Sequence, residues 1–251
     1  MNKHVVFLLL MMLFSVEVLS AECVVLLHGL ARTSNSMAEL ETKLTNEGYF
    51  VVNVNYPSRK KKIFELSEIA VNDGLLQCSK ANSSPVNYVT HSLGGILVRQ
   101  FYINHQPSNL NRVVMLGPPN NGSEVVDNLK NVPGYKLING PAGMELGTSN
   151  IDVPKTLGPV NFELGVIAGT QSINLILSTF LPNPDDGKVS VESTKVEGMC
   201  GFITMPVTHP FLMTNDSVIR EVISFLRNGV FINQRSNAEL SKCVKKSIKN
   251  K

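Results

Sequence analysis

The chain has no tryptophan, and phenylalanine and tyrosine together bring its aromatic share to only 6% of 251 residues. With no basic stretch interleaved with aromatics and no recognised nucleic-acid motif, the stacking and phosphate chemistry that grips DNA or RNA has nothing to build on. Cysteine is scarce as well: Cys23, Cys78, Cys200 and Cys243 are all there are, and no two form a Cys-x-x-Cys pair. That spacing argues against a zinc site or a dithiol redox centre. There is no internal repeat, no low-complexity tract and no heptad to dictate association. The net charge is a modest +3, and histidine, the usual general base near neutral pH, occurs only five times.

The chain is not short of apolar residues, at 43%, enough for one well-buried domain. Near its start Lys3 precedes the apolar run Val5 to Phe14, and Val18-Leu19-Ser20 offers small residues before Ala21. This is the pattern of a secretory signal, too short and wrongly flanked for a permanent span, with an uncleaved anchor as the alternative. Glu22 between Ala21 and Cys23 spoils the spacing of a lipoprotein box. The expected organisation is a signal peptide over 1–20, one domain over 21–235 and a basic tail over 236–251, in a secreted or periplasmic protein. Strands are predicted near 23–28, 50–55, 86–91, 112–117, 164–169 and 201–207, and helices near 36–47, 63–79, 93–105 and 215–228. Such alternation argues for an α/β architecture: a compact, mostly parallel sheet of about six strands with helices on both faces. From 120 to 163 the pattern gives way to Gly-, Pro- and Asn-rich sequence. That stretch reads either as a lid or substrate wall, or as an irregular connection whose Leu137, Ile138, Met144 and Leu146 complete the core.

One turn carries the chemistry. Tyr88-Val-Thr-His-Ser-Leu-Gly-Gly95 is an apolar strand ending in small residues around Ser92. In a Gly-x-Ser-x-Gly elbow the small flanking residues let a strand reverse sharply into a helix, lifting the serine oxygen above the sheet. Here Thr90 stands at the first small position, which is expected to open the elbow slightly, while Gly94 and Gly95 keep the helix side tight. A base is found by elimination. His4 lies in the leader, His28 in a Leu-Leu-His-Gly turn where a structural role is expected, His91 beside the serine and expected to point away, and His105 late in the following helix. His209 remains, after the strand-like Gly201 to Val207 and before Pro210.

Between serine and histidine, Leu181-Pro-Asn-Pro-Asp-Asp-Gly-Lys-Val-Ser190 supplies Asp185 and Asp186 after an apolar strand. A carboxylate there accepts the imidazole's second N–H and steadies the imidazolium. Asp186, next to Gly187, is preferred over Asp185. Serine, acid, histidine is the chain order that accompanies a strand-to-helix nucleophile elbow. The short strand Cys23 to Leu27 running into His28-Gly29-Leu30 is placed to help form an oxyanion hole, with Leu30 and Leu93 N–H groups as its two donors.

With these pieces in place the chain resembles an α/β-hydrolase of the bacterial lipase and esterase type. The resemblance rests on His28-Gly29-Leu30, Thr90 to Gly95, Gly117-Pro-Pro-Asn-Asn-Gly-Ser123, Asp186 to Val189 and His209, in the family's order. It implies carboxylic ester hydrolysis through an acyl-serine, with Ser92, Asp186 and His209 as catalytic residues, no cofactor, and an ester or lipid substrate. A thioesterase or acyltransferase using the same groups, and a catalytically silent lipid- or partner-binding relative, are the alternatives. Some bacterial lipases place a calcium-binding aspartate two residues beyond the histidine; Phe211 stands there, so no obligatory metal is expected. In that fold the strands following Cys23 and Cys78 are neighbours, which favours a Cys23–Cys78 disulfide and leaves Cys200 with Cys243. The run Arg59-Lys-Lys-Lys62 would emerge at the active-site edge, where contact with an anionic membrane surface is an alternative to a merely solvated loop.

Overall fold

The computed structural model describes residues 20–106 and 109–234. The expected leader and basic tail, Cys243 among them, lie outside the described residues. Six strands, β1 (Cys23–Leu27), β2 (Phe50–Val54), β3 (Val86–His91), β4 (Leu110–Leu116), β5 (Glu163–Gly169) and β6 (Gly201–Met205), form one sheet in the order β2-β1-β3-β4-β5-β6. Every pairing is parallel. Parallel neighbours need crossover helices, and these cover both faces.

Period-two alternation in the strands sorts the core into two layers. Cys23, Val25, Leu27 and Tyr88 face one cluster with α2 (Ile63–Lys80) and α3 (Leu93–Asn104). Val24, Leu26 and Val89 face the other, with α1 (Ala38–Asn46) and α9 (Asp216–Asn228). Helix α9 shows how locally these elements are written. Val218, Ile219, Val222, Phe225 and Leu226 are buried along one stripe, the Asn215 side chain caps the N–H groups of Ser217 and Val218, and Gly229 ends the helix at φ 71°.

The segment from 120 to 163 holds three helices: α4 (Glu124–Leu129), α5 (Tyr135–Met144), kinked at Gly140-Pro141, and α6 (Val153–Thr156). Leu146 is buried, but Leu137 is 87% exposed and Ile138 is 61% exposed. These two therefore do not complete the core, because α5 rides over the sheet's edge rather than on its face. Two further one-turn helices, α7 (Leu175–Ser178) and α8 (Val191–Thr194), flank the Asp185-Asp186 turn. Cys23 and Cys78 form a disulfide with Cα atoms 5.8 Å apart. Cys200 is disulfide-bonded too. Among the described residues no helix is long and apolar enough to cross a membrane.

Candidate active site

In a parallel sheet all strands end at the same edge, and here the carboxyl ends deliver the groups singled out in the sequence. Ser92 follows β3 directly and has φ 51° and ψ −118°, a conformation that costs a non-glycine residue on the order of 1–3 kcal/mol. The strain is held by the sheet: Ser92 N–H donates to the Leu116 carbonyl at 2.9 Å, and at Gly94 a Cβ would lie 2.5 Å from the Leu27 carbonyl oxygen. Thr90 does not open the elbow. It pairs in register with Leu27 on one side and Met115 on the other, leaving its buried hydroxyl without a protein partner.

Asp186 and His209 come together by both backbone and side chain. His209 N–H donates to the Asp186 carbonyl at 3.0 Å, and His209 Nδ1 lies 2.7 Å from Asp186 Oδ2. The other carboxylate oxygen accepts the N–H groups of Lys188 at 3.0 Å and Val189 at 2.9 Å. With both oxygens engaged and the residue only 1% exposed, the carboxylate is fixed as an acceptor for the Nδ1–H of His209. Asp185 turns elsewhere, accepting from the Ser178 hydroxyl and Gly187 N–H. Gly117, at φ 54°, is the wall behind the pair. A Cβ there would stand 3.0 Å from both Asp186 Oδ2 and His209 Nδ1, so only glycine leaves room.

Ser92 and His209 line one cavity of about 490 Å³, together with Leu30. No hydrogen bond joins the Ser92 hydroxyl to His209 among the described contacts. The N–H groups of Leu30 and Leu93 likewise have no protein acceptor among the described residues. Around the cavity, Val125, Leu129, Tyr135, Ile138 and Leu146 from the 120–163 segment, with Leu177 of α7, form an apolar wall. The sequence offered 120–163 as a lid or wall and named Ile138 and Leu146, whereas Val125, Leu129, Tyr135 and Leu177 escaped it, since such short helices leave no periodic stripe.

The neighbouring histidines take distinct places. His28 stacks on Tyr56 with ring centroids 4.0 Å apart, and its Nε2 accepts from Tyr56 N–H at 3.3 Å; burial lowers its pKa, in keeping with a structural role. His105 is remote, beside Glu68. His91, expected to point away from the serine, instead lines the cavity with its ring 4.7 Å from that of His209. Alternation explains it: His91 shares the face of Val89, on the α9 side, where the His209 loop runs. Its Nε2 is 3.0 Å from the His209 carbonyl oxygen, while Nδ1 is buried without a partner and abuts Gly29, where a Cβ would lie 2.7 Å away. Burial first, and His209 second, hold its pKa well below the usual value, so His91 is neutral.

No protein-family model matches the sequence, and no curated protein matches it either. Solved structures do. The mature lipase of Bacillus licheniformis superposes with a TM-score of 0.66 at 18% identity, over 82% of this chain and 92% of that one. An esterase from Exiguobacterium antarcticum gives 0.55 at 14% identity, over 83% and 92%. Phospholipase PlaB from Legionella pneumophila gives 0.53 at 20% identity, over 70% of this chain but only 46% of that one. The six-stranded parallel sheet, its flanking helices and these likenesses together show that the chain has the α/β-hydrolase fold.

Proposed function

We propose that the protein is an exported serine hydrolase that cleaves carboxylic esters, lipid esters in particular, through an acyl-serine intermediate. The observation that carries this reading is the Asp186 Oδ2 to His209 Nδ1 contact of 2.7 Å at the rim of the cavity that Ser92 enters from a strained elbow. Ser92 Oγ attacks the ester carbonyl as His209 Nε2 takes its proton. The Leu30 and Leu93 N–H groups stabilise the oxyanion, and His209 returns the proton to the departing alcohol. Asp186 holds the tautomer and stabilises the imidazolium. Water then repeats the sequence to free the acid. The Ser92–His209 hydrogen bond, absent among the described contacts, is of a kind that commonly tightens only when substrate binds. His91 acts as a positioning residue, spacing the Gly29-Leu30 loop from the His209 loop.

The apolar wall suits an acyl chain. It is tied down by Ile63 N–H donating to Glu145 at 2.8 Å and Ser123 N–H to the Leu146 carbonyl at 2.9 Å, which favours a fixed substrate wall over a swinging lid. Arg59, which opens the basic run, reaches the Ile138 carbonyl at 3.5 Å, so that run borders the exposed apolar residues of α5 and meets an anionic lipid surface. Replacing Arg59 to Lys62 by alanine is expected to weaken turnover on anionic vesicles and spare a small neutral ester. Export accords with the leader-like start of the sequence and the Cys23–Cys78 disulfide.

The primary test is intact-mass analysis after treatment with a fluorophosphonate. One adduct per chain on wild type and none on Ser92→Ala, with ester hydrolysis by wild type alone, is expected. A folded wild type that takes no label and hydrolyses no ester makes the fold a binding scaffold instead.

A further inference from the structure

The lining of the catalytic cavity is apolar apart from a few hydroxyl, amide and imidazole groups and two cations, Arg32 and Lys188. No aspartate or glutamate lines it among the described residues. Neither cation forms an ion pair among the described contacts. Asp186, two residues before Lys188, is felt at its ammonium but forms no ion pair with it; its oxygens bond to the Lys188 and Val189 N–H groups and to His209. Arg32 is close enough to be felt electrostatically at both Lys188 and His91. Two like charges thus share one cavity whose lining holds no acid. Partial desolvation first, and Arg32 second, pull its ammonium below the ordinary lysine range, and Asp186, the weakest of the three influences, opposes them. An arrangement that repels itself in the empty protein is relieved by an anion seated between the two side chains.

We propose that the cavity selects esters whose alcohol part carries an anionic group, a phosphate or a carboxylate, which Arg32 and Lys188 hold at the mouth while the acyl chain lies along the apolar wall. The inference rests on the ester-hydrolase reading and adds a charge requirement to it. Arg32 follows the Leu30 oxyanion loop by two residues and Lys188 follows Asp186 by two. The anion is therefore bound close to the reacting carbonyl, and its charge is felt in kcat/KM.

The test holds the acyl group constant and varies only the charge of the alcohol: butanoyl esters of glycerol, glycerol phosphate, glyceric acid and choline, all freely soluble, so that surface docking plays no part. Wild-type kcat/KM is expected to be roughly ten-fold higher for the phosphate or carboxylate ester than for the glycerol ester, lowest for the choline ester, with the spread narrowing at about 0.5 M salt. Preference for the phosphate ester alone identifies a phospholipid-like headgroup; preference for both anionic esters identifies charge as the criterion. In R32E/K188E the order reverses, with the choline ester overtaking the phosphate ester, whereas Arg32→Lys keeps the wild-type order. Ratios are taken within one sample, so a partly folded variant does not distort them. Equal kcat/KM for all four esters, or the wild-type order surviving charge reversal, overturns the charge requirement alone. No hydrolysis of any ester by wild type overturns the hydrolase reading and this one with it.

Discussion

The two ends of the sheet are built to opposite rules. At the amino ends of the strands most polar groups are paired, the exceptions being Gln234 Oε1 beside Gly201 and the positive φ of Asn82 ahead of β3. Asn87 at the start of β3 donates to Glu22 and to the Cys23 carbonyl, and accepts from Asn111 and from Arg112 N–H. Arg112 bridges to Glu163 at 2.9 Å and to the Leu226 carbonyl at 2.8 Å, and the Cys23–Cys78 disulfide closes the same edge. At the carboxyl ends, Thr90, His91 and Thr208 bury side-chain polar atoms with no partner, and Ala31 and Ser92 hold positive φ. Unmet hydrogen bonds and strained backbone cost stability, and they persist only where surrounding structure over-determines them. The difference teaches where to look for each property: anchorage below, chemistry above.

Substitutions at the upper end should therefore remove activity with little loss of fold. Ser92→Ala is expected to lower kcat by about 10⁶, and Asp186→Asn by about 10⁴, with thermal melts close to wild type; pre-steady-state and melting measurements on the same samples check both halves. The lower end predicts the converse. Removing both Cys23 and Cys78 frees a span of 55 residues and is expected to cost about 4 kcal/mol in denaturant unfolding. Per folded molecule, kcat/KM should hold, and a parallel collapse of kcat/KM would erase the contrast. Gly117→Ala tests the boundary between the two. Its Cβ would press on both members of the Asp186–His209 pair, so a loss of about 10² in kcat is expected from misplacement alone.

The smallest effect concerns pH. His91 is neutral when folded, whereas in the unfolded chain it titrates at about 6.5. Below that pH the unfolded state binds the extra proton, so stability falls as pH drops, by up to about 1.4 kcal/mol per pH unit from this one group. In His91→Asn that share of the slope disappears. Denaturant melts at about pH 7 and about pH 5.5 measure it, and identical slopes in the two proteins would refute a buried neutral His91.

Much of the scaffold was legible because its signals are local. The strands preceding His28 and Ser92 are short apolar runs, and α9 carries its own cap, stripe and terminal glycine. Ser92, Asp186 and His209 stood out by residue type and chain order, and the structure brings the last two into contact. What was not legible depends on approach between distant segments. Gly117 entered the resemblance only as the start of a Gly-Pro-Pro turn, and its close approach to Asp186 and His209 shows once they are packed against it. The direction of His91 followed from strand alternation but was masked by the adjacent elbow. Arg32 and Lys188, far apart in the chain, carry no sequence signal that joins them, and only the cavity brings them together. Helices α4 to α7 lie over an edge, so their apolar residues follow no stripe.

The strand order also sets a timetable. Leu30, Ser92, Asp186 and His209 follow β1, β3, β5 and β6, and β6 is an edge strand whose sole partner among the described residues is β5. A chain still emerging from the ribosome can present the serine, but the histidine waits for the last strand to be laid down. On the proposed reading, competence to cleave an ester arrives only with completion of the sheet.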